Sequence, residues 1–371
     1  MKKTVLITSG RSPAGLDLVR TFSRFGHRAI VAESLPIHLC QFSRFGKTYR
    51  VPSPSQDPVS YIKRIRQIVQ QESVDLILPV YEEIFPLAFF RQQLGCPVLA
   101  DNFDKLKQLH SKFEFIELCR KAGLSHPKTK LISSGAEIDE PANQIIKPEF
   151  SRFGTGVVLR PSPEQIETLN FERPLVLQEF AEGQAYCGFC LARKGQVLLQ
   201  SVYPLEASLS GVCISFRHDP VPEIVDWMNR FVEHFEFTGS IGFDFVLSGN
   251  RVLPIECNPR ITSGIHLYAG SKDLVAAYLH DEPSSKNERC QSMAGPFVFA
   301  NALLNWSLWK KWFTSKDVIF EWTDPFPLFG LGLGICHMKL LAWRKRMPMS
   351  EVSSLDIDYN GDDFPELKES E

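Results

Sequence analysis

Short apolar runs alternate with amphipathic stretches over the first part of the chain. Thr4–Thr8 (TVLIT) has the composition of a buried strand. After a turn at Gly10–Gly15, Pro13–Phe25 carries apolar residues at helical spacing. Arg28–Ala32 and Asp75–Val80 (DLILPV) read as further strands, with a helix over Pro58–Gln71 between them. Ile84–Leu94 reads as a helix and Pro97–Ala100 as a short strand. Such alternation predicts an α/β fold with a doubly wound parallel sheet over roughly the first 100 residues.

The pattern then changes. Ser111–Ala122 is amphipathic, opens with Lys112 and stops at Gly123, a good helix terminator. Gln144–Pro148, Pro174–Phe180, the stretch holding Cys187 and Cys190, Gln196–Tyr203 and Gly211–Phe216 read as strands, and Val221–Phe235 as a helix. Gly239–Arg260 (GSIGFDFVLSGNRVLPIECNPR) reads as a hairpin turning at Ser248-Gly249-Asn250. Asp281–Ser292 is polar and reads as a linker. Ala300–Phe313 carries three tryptophans and reads as an amphipathic helix, for core packing first and surface or membrane contact second. Ser350–Gly361 begins like a strand, and Asp362–Glu371 reads as an acidic, disordered tail.

The hairpin carries the candidate chemistry. Asp244 stands among Ile241, Phe243, Phe245 and Val246, and Glu256 and Asn258 follow the apolar run Val252–Ile255. A carboxylate among apolar residues is costly without a partner. Glu256 and Asn258, two apart, share a strand face. A two-residue loop at Gly249-Asn250 puts Asp244 on the other face. A three-residue loop or a bulge puts all three oxygen-bearing groups on one side, and the three-residue loop is the expected case. That arrangement suits a hard cation such as Mg²⁺, completed by substrate phosphates. The competing reading is a polar, solvent-facing hairpin edge.

Composition narrows the classes. The 371 residues hold 41 Lys and Arg against 43 Asp and Glu, which offers no electrostatic case for nucleic acid. Met1-Lys2-Lys3 runs into too short an apolar stretch for a secretory signal, and the least polar run, Phe326–Cys336, is too short to span a bilayer. Nine scattered cysteines suit reduced thiols and a cytoplasmic setting. Cys187 and Cys190 form a C-x-x-C, but on a strand they point to opposite faces, against a metal or redox role. Gly10–Gly15 is neither a dinucleotide fingerprint nor a P-loop. Arg217 could grip an oxyanion or simply face solvent, and His218 has no spaced partner.

The acidic residue Asp244, then I-E-x-N-P-R at Ile255–Arg260 twelve residues on from that aspartate, resembles the metal-binding hairpin of the ATP-grasp superfamily. Other motifs follow in the matching order. Leu109-x-Ser111-Lys112 opening a helix resembles the entry helix whose lysine reaches the nucleotide phosphates. Lys147-Pro148 with Gly154-Thr155-Gly156-Val157 resembles the mobile phosphate lid, and Gln178–Gly183 resembles the adenine hinge. The resemblance covers about residues 1–280. It implies an N-terminal domain (1–110), an ATP-grasp domain (111–285, lid subdomain about 125–180) and a C-terminal extension (286–371).

On this resemblance Asp244, Glu256 and Asn258 are the metal ligands. Lys112, Lys147, Gly154, Gly156, Gln178, Glu179, Ala181 and Gln184 hold the nucleotide, with Glu179 and Ala181 reading adenine through main chain. Arg260 and Lys147 serve catalysis. Arg11, Ser12, Glu82 and Glu83 are weaker candidates for holding the acceptor. The family commonly places an acid after the hinge glycine to hold the ribose; here Ala185 stands there, with Gln184 as the substitute. The implied activity is ATP-dependent ligation of a small-molecule carboxylate, through an acyl phosphate, to an amine, with ATP and Mg²⁺ (Mn²⁺ as a substitute). Bicarbonate chemistry of the carbamoyl-phosphate type, or a non-catalytic ATP-binding module, are the alternatives. Neither the acceptor nor the oligomeric state, homodimer included, is legible.

Overall fold

The computed structural model describes residues 1–152, 154–206, 208–209, 212–284, 291–293 and 315–365. Its N-terminal sheet is parallel, in the order Gly46–Arg50, Arg28–Glu33, Thr4–Thr8, Leu76–Leu78. Alternate residues of each strand serve two cores. Val5, Ile7 and Val31 pack with Leu16, Val19 and Phe22 of the helix Pro13–Arg24, while Leu6, Ile30 and Ile77 pack with Tyr61, Ile62 and Ile65 of the helix Pro58–Glu72. Both faces are therefore covered, which is why these strands read as unbroken apolar runs. Ser12 and Asp57 cap the two helices through the amides of Ala14 and Ser60.

Several expectations needed correction here. Gly46–Arg50 is a strand, hidden because its edge position leaves its residues partly exposed and polar. Pro97–Ala100 makes only a single bridge, Val98 to Ile77. The helix expected over Ile84–Leu94 ends at Phe89. An unanticipated helix, Phe103–His110, is capped by Asn102.

Two antiparallel sheets follow. The smaller has the order Thr129–Ile132, Leu175–Glu179, Gln144–Pro148, Val158–Leu159. Among the described residues its small core cluster is Ile132, Ile146 and Leu177, with Val176 buried on the other face. The larger has the order Gln196–Pro204, Gln184–Arg193, Gly239–Ser248, Arg251–Asn258. Helix Pro222–His234 covers one face of it, with the Trp227 ring centroid 5.1 Å from Phe245 and 5.4 Å from Phe243. The opposite face packs Phe189, Leu191 and Tyr203 into the second core and turns polar only toward Asp244 and Asn258. Past the hairpin, His266 returns to the N-terminal helix, its Nδ1 2.7 Å from Asp17 Oδ2 with both residues buried.

The C-terminal region departs furthest from expectation. Gln291–Met293, overlapping the end of the expected linker, pairs with Ser215–Arg217. Ser350–Gly361 is not a strand: a short helix, Met349–Val352, leads into turns. The start of the acidic tail is docked, with Lys107 Nζ 2.8 Å from Asp363 and the Phe364 ring 5.5 Å from those of Phe89 and Tyr359. One aromatic residue anchors a stretch whose charge suggested disorder. Ala300–Phe313 lies outside the described residues. No helix among the described residues is long and apolar enough to cross a membrane.

Candidate functional site

The hairpin turns through a two-residue loop, Gly249-Asn250, since Ser248 pairs with Arg251. The three-residue loop is therefore wrong. A bulge does its work instead: Asp244 pairs with Glu256, but Phe245 pairs with Pro254. Ile255 is the extra residue, and it shifts the register by one. Without it Asp244 and Glu256 would face opposite sides. With it Asp244, Glu256 and Asn258 share one face.

The bulge has a second effect. The Ile255 carbonyl accepts a hydrogen bond from Lys147 Nζ at 2.8 Å. Lys147 also donates to Gln178 Oε1 at 2.9 Å, and Gln178 donates to Thr129 Oγ1 at 3.1 Å. Burial pushes the Lys147 ammonium down to about 7, against the opposing pull of Glu256 and Asp244. Lys112 is likewise buried. It sits in the turn before the helix Glu114–Lys121 rather than opening it. Its Nζ donates to the Ser151 carbonyl at 2.8 Å and lies 3.7 Å from Glu256. Two buried lysines thus flank the carboxylate pair.

Asp244 and Glu256 stand directly across from one another. Desolvation, then repulsion from Glu256, pushes Asp244 up to about 6. Two carboxylates and an amide make a hard-oxygen donor set. Among the described residues no group of three His, Cys, Asp or Glu side chains competes as a metal site. The donor chemistry fits a Mg²⁺ ion, which Asp244, Glu256 and Asn258 would hold together with phosphate oxygens and water. Arg260, past the hairpin, donates from Nη2 to Asn258 Oδ1 at 3.1 Å, and its guanidinium lies 5.5 Å from the Tyr81 ring centroid.

The glycine loop follows Ser151, whose carbonyl holds Lys112. Gly154 (φ 69°) and Gly156 (φ 73°) adopt the left-handed conformation, and a Cβ on Gly156 would come within 2.8 Å of Pro148. At the hinge, the Glu179 amide donates to the Lys128 carbonyl and that of Phe180 to Asn143. The Ala181 amide is the first one beyond those pairings. Gln178 is buried, and its side chain is spent on Lys147 and Thr129, so it positions the lysine. Gln184 is exposed and donates to its neighbour's carbonyl, Ala185, at 3.2 Å. Arg217 is exposed and paired with Glu206 at 2.6 Å, away from the cluster.

Sequence reasoning passed over Arg152 and His110. Arg152 Nε lies 2.7 Å from Glu82 and 3.0 Å from Asp358, tying the glycine loop to the N-terminal sheet and the C-terminal segment. A lone arginine inside a glycine-rich lid was the available signal. His110 is buried between Glu82 and the Tyr359 carbonyl. Burial pushes it down to about 4, so it is neutral at neutral pH.

The fold agrees with known proteins. Residues 109–264 match the ATP-grasp domain family. The arginine-specific carbamoyl phosphate synthase large chain of Bacillus subtilis is 22% identical over 220 residues, 53% of this chain and 21% of that one. An L-amino acid ligase from Bacillus licheniformis shares the fold at a TM-score of 0.59 and 15% identity, over 71% of this chain and 68% of that one. N5-carboxyaminoimidazole synthetase from Staphylococcus aureus, complexed with ADP, does so at 0.57 and 16%, over 72% and 74%. This chain therefore spans about a fifth of the carbamoyl phosphate synthase relative.

Proposed function

We propose that the chain is an ATP-dependent ligase that activates a carboxylate as an acyl phosphate and joins it to an amine. The observation that carries this is the convergence of Lys112 and Lys147 on the bulged hairpin, where Asp244, Glu256 and Asn258 share one face. The substrate carboxylate attacks the terminal phosphoryl group of ATP, ADP leaves, and the amine displaces phosphate. Mg²⁺ bound by the three hairpin groups would neutralise charge on the phosphate oxygens. Lys112 and Lys147 bind and orient the phosphates, and the Gly154–Gly156 loop folds over them to exclude water. Arg260, held by Asn258, faces the transferred group. Glu179 and Ala181 present main-chain groups to the base. No side-chain nucleophile is required. The cysteines described are all unpaired thiols, which supports a reducing, cytoplasmic setting.

ADP release from Mg²⁺-ATP tests this against a panel of amino acids, dicarboxylates and amines, with mass spectrometry on the products. A condensed product from one acid–amine pair is expected. Glu256→Gln should lower ADP release about 100-fold or more while the melting temperature holds within a few degrees. A fully active Glu256→Gln enzyme would sink the metal assignment. Similarity to a carbamoyl phosphate synthase large chain favours bicarbonate as the second reading. ADP release with bicarbonate and no other acid would select it.

A further inference from the structure

Asp356 lies in a built carboxylate site. Arg11 Nη1 donates to its Oδ1 at 2.7 Å and Nη2 to its Oδ2 at 2.6 Å. The Ser34 hydroxyl donates to the same Oδ2. Such a fork-to-fork pair is the strongest common way to hold a carboxylate. Arg11 is itself fixed from behind: Glu33 accepts from its Nε at 3.1 Å and from its amide at 2.8 Å. The guanidinium is therefore presented in one orientation, at the carboxyl ends of the strands Thr4–Thr8 and Arg28–Glu33. In open parallel sheets that edge is where ligands bind.

The segment carrying Asp356 lies across this edge as a strap. Arg11 Nη1 donates to the Ser353 carbonyl at 2.9 Å, Ser55 Oγ to that of Leu355 at 2.9 Å, and Ser53 Oγ to that of Asp356 at 2.7 Å. Beneath Ile357 is a narrow cleft of about 10 Å³, lined by Ser9, Glu33, Ser34, Tyr61 and Glu83, that only movement of the strap would widen. Two of its lining atoms, Tyr61 Oη and Glu83 Oε2, are buried without a hydrogen-bond partner. An unmet buried polar atom costs about 1–3 kcal/mol, so these two leave hydrogen-bonding capacity on the wall of the cleft. The same strap reaches the glycine loop, with Asp358 3.0 Å from Arg152 and the Tyr359 amide 2.8 Å from Glu82.

We propose that Arg11 and Ser34 form the binding site for the carboxylate of a small amino or hydroxy acid, and that Asp356 is a tethered stand-in which this ligand displaces. The ligand's amino or hydroxyl group then meets Tyr61 and Glu83. Displacing the strap also releases Asp358 from Arg152, which links occupancy of this site to the glycine loop. Calling the ligand a substrate rests on the ligase reading; its binding does not.

Calorimetry on the full-length chain without nucleotide tests the binding. The probes are glycine, alanine, lactate, acetate and ethylamine, applied to wild type, Asp356→Asn and Asp356→Ala. Because the strap competes, the apparent affinity is lowered by the fraction of sites it leaves open, so the variants should bind an amino or hydroxy acid about tenfold tighter or better. Ethylamine should bind neither. Hydrogen exchange on wild type supplies a readout free of substitutions: amides 353–359 should lose protection when the acid is added. Equal affinity in wild type and variants overturns the proposal. So does acetate binding the variants as well as the amino and hydroxy acids do, since that shows only a vacated hole. Turnover separates this from the ligase reading. Strap-competitive binding with no ADP release on any amine would sink the ligase and keep the site. Ligation with a KM indifferent to Asp356→Ala would keep the ligase and remove the site.

Discussion

Lys147 is held between a neutral amide and a carbonyl, with the carboxylates near enough to matter but not in contact. Desolvation leaves its ammonium close to half-ionised at neutral pH. A bound triphosphate favours the charged form, so nucleotide binding near pH 7.5 should take up a fraction of a proton. Calorimetry in buffers of different ionisation enthalpy measures this uptake, and Lys147→Met should abolish it. His110 gives a second residue-scale expectation. Its folded value, about 4, lies below the ordinary 6.5, because burial outweighs Glu82 while Lys112, Arg152 and Arg260 add repulsion. The unfolded chain therefore binds a proton that the folded one refuses between these values. The contribution is complete above pH 6.5 and fades as pH falls toward 4, amounting to about 3 kcal/mol. Denaturant midpoints across this range should fall with acid in wild type and fall less in His110→Gln.

Among the elements, the smaller antiparallel sheet and the larger one that holds the hairpin are built with unequal reserves. A small cluster of Ile132, Ile146 and Leu177 holds the former, whereas the latter packs Trp227, Phe231, Phe243 and Phe245 against one another. Local opening should follow that difference. Amides in Thr129–Ile132 and Gln144–Pro148 should exchange well before those in Gln184–Arg193 and Gly239–Ser248, and Mg²⁺-ATP should slow them. Equal exchange in both sheets would count against a mobile lid. Most elements were legible because period and burial agree: the first two strands and their helices, the hairpin and helix Pro222–His234. Gly46–Arg50 was not, since an edge strand has little to bury and so carries no apolar signature.

Across the whole molecule, the C-terminal region is bound to the N-terminal one through buried charge. Arg20 Nε lies 2.9 Å from Asp324 Oδ2, and Arg20 also donates to the Ile319 and Asp324 carbonyls at 2.9 Å. Ser43 Oγ and the Arg44 amide donate to the same carboxylate. Removing one partner strands the other in the interior, so Asp324→Ala should cost about 3–5 kcal/mol. Chemical denaturation measures the loss. A change below about 1 kcal/mol would mean the two regions are held together elsewhere.

The sequence by itself determined the order of the chemistry: two lysines, a glycine loop, a hinge, then two carboxylates, an amide and an arginine. It also determined the parallel sheet, because strands buried on both faces must be continuously apolar. Tertiary structure decided the rest. A two-residue loop and a one-residue bulge look alike in sequence, yet the bulge at Ile255 alone brings Asp244 beside Glu256. Gln178 fitted a place in the nucleotide hinge by position, and proximity made it the support of Lys147. Arg152, Glu82 and Asp358, like Arg11 and Asp356, meet only because distant segments fold onto one sheet edge. Local pattern reports which face a residue takes; it carries no record of which distant side chain will stand opposite.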